Sequence, residues 1–214
     1  LPISGSTKVA QYVYAREAEN GKRAQWGGGA KNPLVVLPDA DLGTTVQIVS
    51  DSAFGNAGQR GLAASLVVTV GDMRIPFTEA ICEAARKRNV GYGLDKDVQM
   101  GPVISQESKS RLEGFIGRYQ QSGRKVLVDG RNAVIDSYQG YFLRPTVLED
   151  VPVDSEIAST ELFGPVLGLI QVETLEQAIQ MINRSRYGNM ASIFTRDGAS
   201  ARKFRYEVQA GNIG

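Results

Sequence analysis

Three short runs of almost uninterrupted apolar residues, 34–37, 66–70 and 166–172, constrain this chain more than any other feature. A strand with one wet face alternates apolar and polar residues. A strand that is apolar throughout needs cover on both faces, which is the pattern of a parallel sheet. Stretches with helical spacing separate the runs, and parallel neighbours need such crossovers. The expected fold class is therefore α/β, with a largely parallel sheet and helices on both faces. At 214 residues the chain is long enough for one large domain, or for one domain with part of another.

The remaining elements follow from spacing and punctuation. Ser6 can cap a first helix that runs to about Asn20, with Gly21 as its stop and Val9 and Val13 on one face. Residues 22–26 read as a short strand. Leu42, Val46, Val49 and Ala53 mark a second helix, and Phe77, Ile81 and Ala84 a third that reaches about Arg88. The clearest amphipathic helix covers 105–122, where Leu112, Phe115, Ile116 and Tyr119 share a face and Gly123 supplies the left-handed stop. A strand at 125–128 precedes an Asp129-Gly130 turn. Leu175, Ala178, Ile179 and Ile182 form a helical stripe, 191–195 a strand and 199–208 a last helix. Gly211-Asn212-Ile213-Gly214 looks like the start of a further strand. With Leu1-Pro2-Ile3 at the other end, the chain reads as a portion of a longer polypeptide.

Composition narrows the functions. A net charge of +1 gives no argument for nucleic acid or for an anionic membrane surface. No apolar run approaches the roughly 20 residues that span a bilayer, and residues 1–20 lack the pattern of a secretory signal. One cysteine excludes an internal disulfide framework and fits a reducing compartment, cytoplasmic or another. With no histidine, neither a Ser-His-Asp triad nor a His-ligated metal can come from this chain, and no metal is expected. Cys82, beside Ile81 in a helical pattern, reads as a small buried hydrophobe. Arg86-Lys87-Arg88 reads as a solvated helix end, where cations suit the macrodipole.

Two stretches carry candidate chemistry. The loop Gly58-Gln59-Arg60-Gly61 lies between a helix and a strand, and taken alone it is an ordinary glycine-rich turn. In Thr160-Glu161-Leu162-Phe163-Gly164-Pro165-Val166, Glu161 and Phe163 are two apart, so an extended segment points both the same way. A carboxylate accepts two hydrogen bonds from a vicinal diol, and an aromatic ring offers a flat apolar wall. The plainer reading is a surface glutamate and a core phenylalanine beside a turn. In this order, however, the two stretches resemble the NAD(P)-dependent aldehyde dehydrogenase superfamily, whose nucleophile loop reads Gly-Gln-Arg-Cys or a close variant. The resemblance runs through most of the chain. It includes Ile3-Ser4-Gly5-Ser6-Thr7, Gly29-Ala30-Lys31-Asn32-Pro33, Gly101-Pro102-Val103-Ile104-Ser105, Arg144-Pro145-Thr146-Val147 and Ala191-Ser192-Ile193-Phe194. The Gly29-Ala30-Lys31-Asn32 wording and the 53–60 run are similar to the coenzyme A-acylating methylmalonate-semialdehyde dehydrogenase branch.

The resemblance implies a chemistry and a defect. A thiolate at position 61 would attack a small-molecule aldehyde, pass hydride to the nicotinamide of NAD, and leave a thioester for water or coenzyme A to release. Gly61 supplies no thiol, only a backbone N–H suited to an oxyanion. By the same resemblance Glu161 holds the nicotinamide ribose and Phe163 contacts the ring. Ser6 and Gly28 belong to the cofactor site, where a helix N-terminus suits a phosphate or ribose oxygen. Gly27 stands where many hydrolytic members carry a general-base glutamate, which the acylating branch lacks as well. The implied organisation is a cofactor-domain remnant over 1–32 and a catalytic domain over 33–214, without the N-terminal half. The expected function is thus a portion of an NAD-dependent aldehyde or semialdehyde dehydrogenase, inactive as this chain, from a homo-oligomeric parent (dimer or tetramer). The alternative is a naturally non-catalytic relative acting as a binding or assembly module. The choice of aldehyde and of NAD over NADP rests on residues outside this chain.

Overall fold

A computed structural model describes residues 2–135 and 138–214, so Leu1, the first residue of the expected remnant, lies outside the described residues. The chain divides into two compact units, Leu1–Ala30 and Lys31–Gly214. The first holds β1 (Pro2–Ser4), α1 (Thr7–Glu19) and β2 (Gln25–Gly27), with β1 and β2 paired in parallel and Ile3 opposite Trp26. Ser6 caps α1 by accepting from the Val9 N–H, and Gly21 follows at φ +67, a conformation that costs glycine little. Ala10 is the buried residue of this helix, while Val9, Tyr12 and Tyr14 are exposed.

The second unit continues with β3 (Asn32–Val36), α2 (Leu42–Phe54), β4 (Ala64–Val70) and α3 (Arg74–Lys87). After these come α4 (Gln106–Gln121), β5 (Val126–Val128), β6 (Thr146–Leu148), α5 (Glu156–Ser159) and β7 (Val166–Val172). The last elements are α6 (Leu175–Asn183), β8 (Met190–Phe194), α7 (Gly198–Glu207) and β9 (Asn212–Ile213). They build one seven-stranded sheet in the order β5-β6-β7-β4-β3-β8-β9. Every neighbouring pair is parallel except β5 with β6. Consecutive residues such as Val35 and Val36, or Val67 and Val68, are fully buried, so both faces of the central strands are covered. That is what their unbroken apolar runs require.

Helix starts are fixed by side chains. Asp41 accepts from the Thr44 N–H, Ser105 from that of Ser108, Thr174 from that of Gln177 and Asp197 from that of Ser200. Each cap contributes about 1 kcal/mol. Leu112, Phe115, Ile116 and Tyr119 of α4 are buried together, as are Leu175, Ala178, Ile179 and Ile182 of α6. In α3 the buried set is Phe77, Ile81, Cys82 and Ala85, so the stripe passes through Ala85 and leaves Ala84 half-buried. Truncating the fully buried Phe77 to alanine would cost about 3–5 kcal/mol. The short elements β1, β6 and α5 have no counterpart in the spacing analysis. Among the described residues, no helix is long and apolar enough to cross a membrane.

Candidate functional site

The second unit places its unusual backbone at one edge of the sheet, where β3, β4, β7 and β8 begin. Gly61 lies in a turn just before β4, closed by the Ala63 N–H donating to the Arg60 carbonyl at 3.1 Å. Two carboxamides hold it from neighbouring strands. Asn32 Nδ2, at the start of β3, donates to the Gly61 carbonyl at 2.9 Å, and Asn189 Nδ2, just before β8, donates to the same oxygen at 2.7 Å. Asn32 Nδ2 also reaches the Ala63 carbonyl at 2.9 Å. The Gly61 carbonyl is thereby turned into the protein, and among the described residues its N–H donates to no group. Gly61 is exposed and lines a cleft of about 670 Å³ with Arg60, Leu62 and Asn189. A Cβ added at Gly61 would meet nothing within 4 Å, so the position has room for the side chain it lacks.

The loop that delivers Gly61 is wound left-handed. Asn56, Ala57 and Gly58 have φ of +52, +52 and +69. For Asn56 and Ala57 this costs about 1 kcal/mol each and persists because the surroundings impose it. Gln59 ties the loop to the chain before α4, accepting from the Ile104 N–H at 2.9 Å and donating to the Pro102 carbonyl. Arg60 donates to the Asp51 and Ser52 carbonyls in the last turn of α2, at 2.9 and 2.8 Å. A cation on carbonyls near a helix C-terminus is well placed. Gln59 and Arg60 therefore set the position of Gly61.

The second stretch meets this loop backbone to backbone. A Cβ added at Gly58 would fall 2.2 Å from the Gly164 carbonyl oxygen, and one at Gly164 would fall 2.4 Å from Leu112 Cδ1. Only glycines permit this stacking of two loops on α4. Arg111 on α4 adds a 2.6 Å bond from its guanidinium to the Leu162 carbonyl. Between these anchors Glu161 is half-buried, and Phe163 is 42% exposed at φ +54. The extended-segment argument fails at Phe163, because a left-handed residue breaks the two-residue alternation. The side chain is presented by a strained turn, a feature that clusters at ligand sites.

Lys31 was visible in sequence only as part of a motif. In the structure it is 3% exposed, and burial lowers its pKa to about 7 while the charge of Glu161 pulls the other way. Asn32 and Asn189 also escaped the sequence reading, since no spacing marks a carboxamide that will hold a distant carbonyl. Asn32 before a proline was the one available sign of an extended, strand-entering residue. Cys82 is 5% exposed, and burial pushes its thiol pKa up, which fits an inert thiol.

Ser6 and Gly28 belong to the first unit. Ser6 Oγ accepts the Val9 N–H at 3.5 Å as the α1 cap. Gly28 packs beside the start of α1, since a Cβ there would lie 3.0 Å from Trp26 Cζ3 and 3.7 Å from Thr7 Cα. Thr7 Oγ1 accepts from the Gly29 N–H at 3.1 Å. The structure brings Ser6 and Gly28 to one helix start, and packs Gly58 of the Gly61 loop on Gly164 of the second stretch; the cleft that Gly61 lines is formed with Arg60, Leu62 and Asn189 and includes neither Glu161 nor Phe163.

The second unit is thus a mostly parallel α/β sheet with a left-handed loop packed on a glycine-proline turn. The aldehyde dehydrogenase family model matches residues 1–214, and the chain belongs to that family. It is 42% identical over 214 residues to malonate-semialdehyde dehydrogenase of Halalkalibacterium halodurans, covering all of this chain and 44% of that protein. It is 43% identical over 211 residues to the mitochondrial acylating methylmalonate-semialdehyde dehydrogenase of Arabidopsis thaliana, covering 98% of this chain and 35% of that protein. The fold superposes with a TM-score of 0.96, at 35% identity, on a methylmalonate-semialdehyde dehydrogenase structure from Sinorhizobium meliloti 1021 complexed with NAD. That match covers 99% of this chain and 44% of the other. The chain thus spans less than half the length of these relatives.

Proposed function

We propose that this chain is the catalytic-domain portion of an NAD-dependent semialdehyde dehydrogenase of the malonate or methylmalonate type, and that with Gly61 it does not turn over. The observation that supports the reading is the close approach of Gly58 to Gly164, which joins the loop that carries Gly61 to the stretch that carries Glu161 and Phe163. In the parent reaction a thiolate at position 61 attacks the aldehyde, and coenzyme A or water takes the acyl group. Gly61 keeps the oxyanion part of that machinery, because its N–H is unengaged while its carbonyl is held by Asn32 and Asn189. The residues present suit the nicotinamide end of NAD. Glu161 offers a carboxylate for the ribose diol, and Phe163 an exposed ring for the nicotinamide face. Ser6 and Gly28 are assigned to the cofactor-domain remnant proposed over residues 1–32, with 33–214 as the catalytic domain. The parent is a homo-oligomer, a dimer or tetramer. NAD, when bound, accepts the hydride; Glu161 and Phe163 orient its reactive end.

The test is aldehyde-dependent NADH formation by the purified chain with malonate semialdehyde or propanal. No rate above background is expected. Gly61→Cys in this chain, which spans 44% of its malonate-semialdehyde dehydrogenase relative, is expected to restore no turnover either. A rate that survives dialysis would contradict the proposal.

A further inference from the structure

The backbone at position 61 is held from outside. Its carbonyl takes two donors, Asn32 Nδ2 at 2.9 Å and Asn189 Nδ2 at 2.7 Å, which occupies both lone pairs. The preceding peptide is pinned as well, because the Arg60 carbonyl accepts from the Ala63 N–H at 3.1 Å. Across a trans peptide the N–H points opposite to the carbonyl, so the Gly61 N–H is turned away from that bond. Both peptides that flank Gly61 are therefore fixed, and none of the bonds uses a side chain at position 61. Asn32 is 2% exposed and shares its Nδ2 between the Gly61 and Ala63 carbonyls, while its Oδ1 is buried with no donor among the described residues. Turning the amide over would set that oxygen against two carbonyls, so stability is given up here to keep them held. Asn189 is exposed, but its backbone is anchored by Asn212, whose N–H and Nδ2 donate to the Asn189 carbonyl at 3.0 and 2.9 Å.

Resting on the dehydrogenase reading, we propose that Asn189 and Asn32 are positioning residues, which act through the residue-61 carbonyl to aim the residue-61 N–H at the oxygen of a bound aldehyde. A donor stabilises an oxyanion well only when it is held in place before the charge develops. With the carbonyl released, the Ala63–Arg60 bond alone would hold the turn, and the N–H would lose its fixed direction. The chemistry that reads this out needs a thiol and no cofactor. In Gly61→Cys the thiolate sulfur adds to the aldehyde carbon and the C–S bond forms. The π pair of the C=O bond moves to oxygen, and the alkoxide takes a proton from water. The product is a hemithioacetal, and nothing is oxidised or reduced. Iodoacetamide alkylates the same sulfur with loss of iodide and builds no such alkoxide. A donor aimed at the aldehyde oxygen therefore matters to the first reaction and not to the second.

The experiment measures hemithioacetal formation by the whole Gly61→Cys chain with propanal isotopically labelled at its carbonyl carbon, titrated by carbon NMR. The titration is repeated with Asn189→Ala and with Asn189→Leu, since leucine keeps the branched shape and donates nothing. Both should weaken the hemithioacetal about tenfold. The iodoacetamide rate of the new thiol and the urea midpoint should not move, because Asn189 is exposed and its backbone anchor stays. Asn189→Gln, with a donor on a longer arm, should recover part of the loss. An equal hemithioacetal with and without the Asn189 amide, or a loss matched by the same fall in alkylation rate or in urea midpoint, would overturn the positioning role and leave the dehydrogenase reading standing. No saturable hemithioacetal in Gly61→Cys itself would overturn both.

Discussion

Gly58 and Gly164 touch through their backbones, the Gly164 carbonyl oxygen lying 2.2 Å from where a Gly58 Cβ would stand. This contact joins two loops that are remote in sequence, one carrying Gly61 and the other Glu161 and Phe163. Gly58 is also left-handed, at φ +69. Gly58→Ala therefore meets both a conformational penalty and a clash with backbone that cannot swing aside. A loss of at least about 2 kcal/mol is expected, measured by urea unfolding. A loss under about 0.5 kcal/mol, the range of surface substitutions, would show that the two loops are not locked together.

Gly61→Cys should behave in the opposite way. A Cβ there has nothing within 4 Å, so stability should change by no more than about 0.5 kcal/mol. The new thiol should react with iodoacetamide in the native state far faster than Cys82, which is buried and whose pKa is raised by that burial. Peptide mapping after brief alkylation distinguishes the two. Equal labelling of both cysteines would mean that position 61 does not open on the cleft.

Phe163 is strained at φ +54 and only partly buried. Phe163→Gly should relieve the backbone at little cost in packing, raising stability by up to about 1 kcal/mol, whereas Phe163→Ala keeps the strain and gains nothing. Thermal unfolding of both variants checks the difference. If alanine and glycine behave alike, the left-handed conformation is not imposed by the turn.

Lys31 makes stability depend on pH with a definite sign. Its folded pKa, about 7, is below that of an unfolded lysine, about 10.4. Between these values the unfolded chain binds more protons, so the contribution of Lys31 to stability rises with pH, by at most about 1.4 kcal/mol per unit. Below about pH 7 both states are protonated and the penalty is at its full, constant value. Lys31→Met should thus be more stable than the parent chain at neutral and acid pH, and the gap should narrow as pH rises toward about 10. A gap that widens with pH would contradict the burial of an unpaired amine.

The sheet was legible where the physics is local. The run Val166–Val172 reads as a strand because seven residues without a charge need cover on both faces, and β7 has those bounds. The cap Ser6 and the stops Gly21 and Gly123 were visible for the same reason. β6 was not, since three residues after a proline carry too little pattern, and its burial comes from β5 and β7. The loop motifs marked Gly61, Glu161 and Phe163, but their geometry depends on tertiary contacts. Nothing in the local sequence says that Phe163 will be left-handed, that Asn189 will reach across to the Gly61 carbonyl, or that Lys31 will be buried without a partner.

The most direct measurement is an amide NMR titration of the isotopically labelled chain with NAD. The shifts expected are those of Gly61, Leu62 and the 161–164 turn, moving together with weak affinity, on the order of 1 mM. Saturable shifts elsewhere that leave Gly61 and Phe163 unmoved, or micromolar affinity, about 8 kcal/mol, would contradict a partial nicotinamide site at this edge of the sheet.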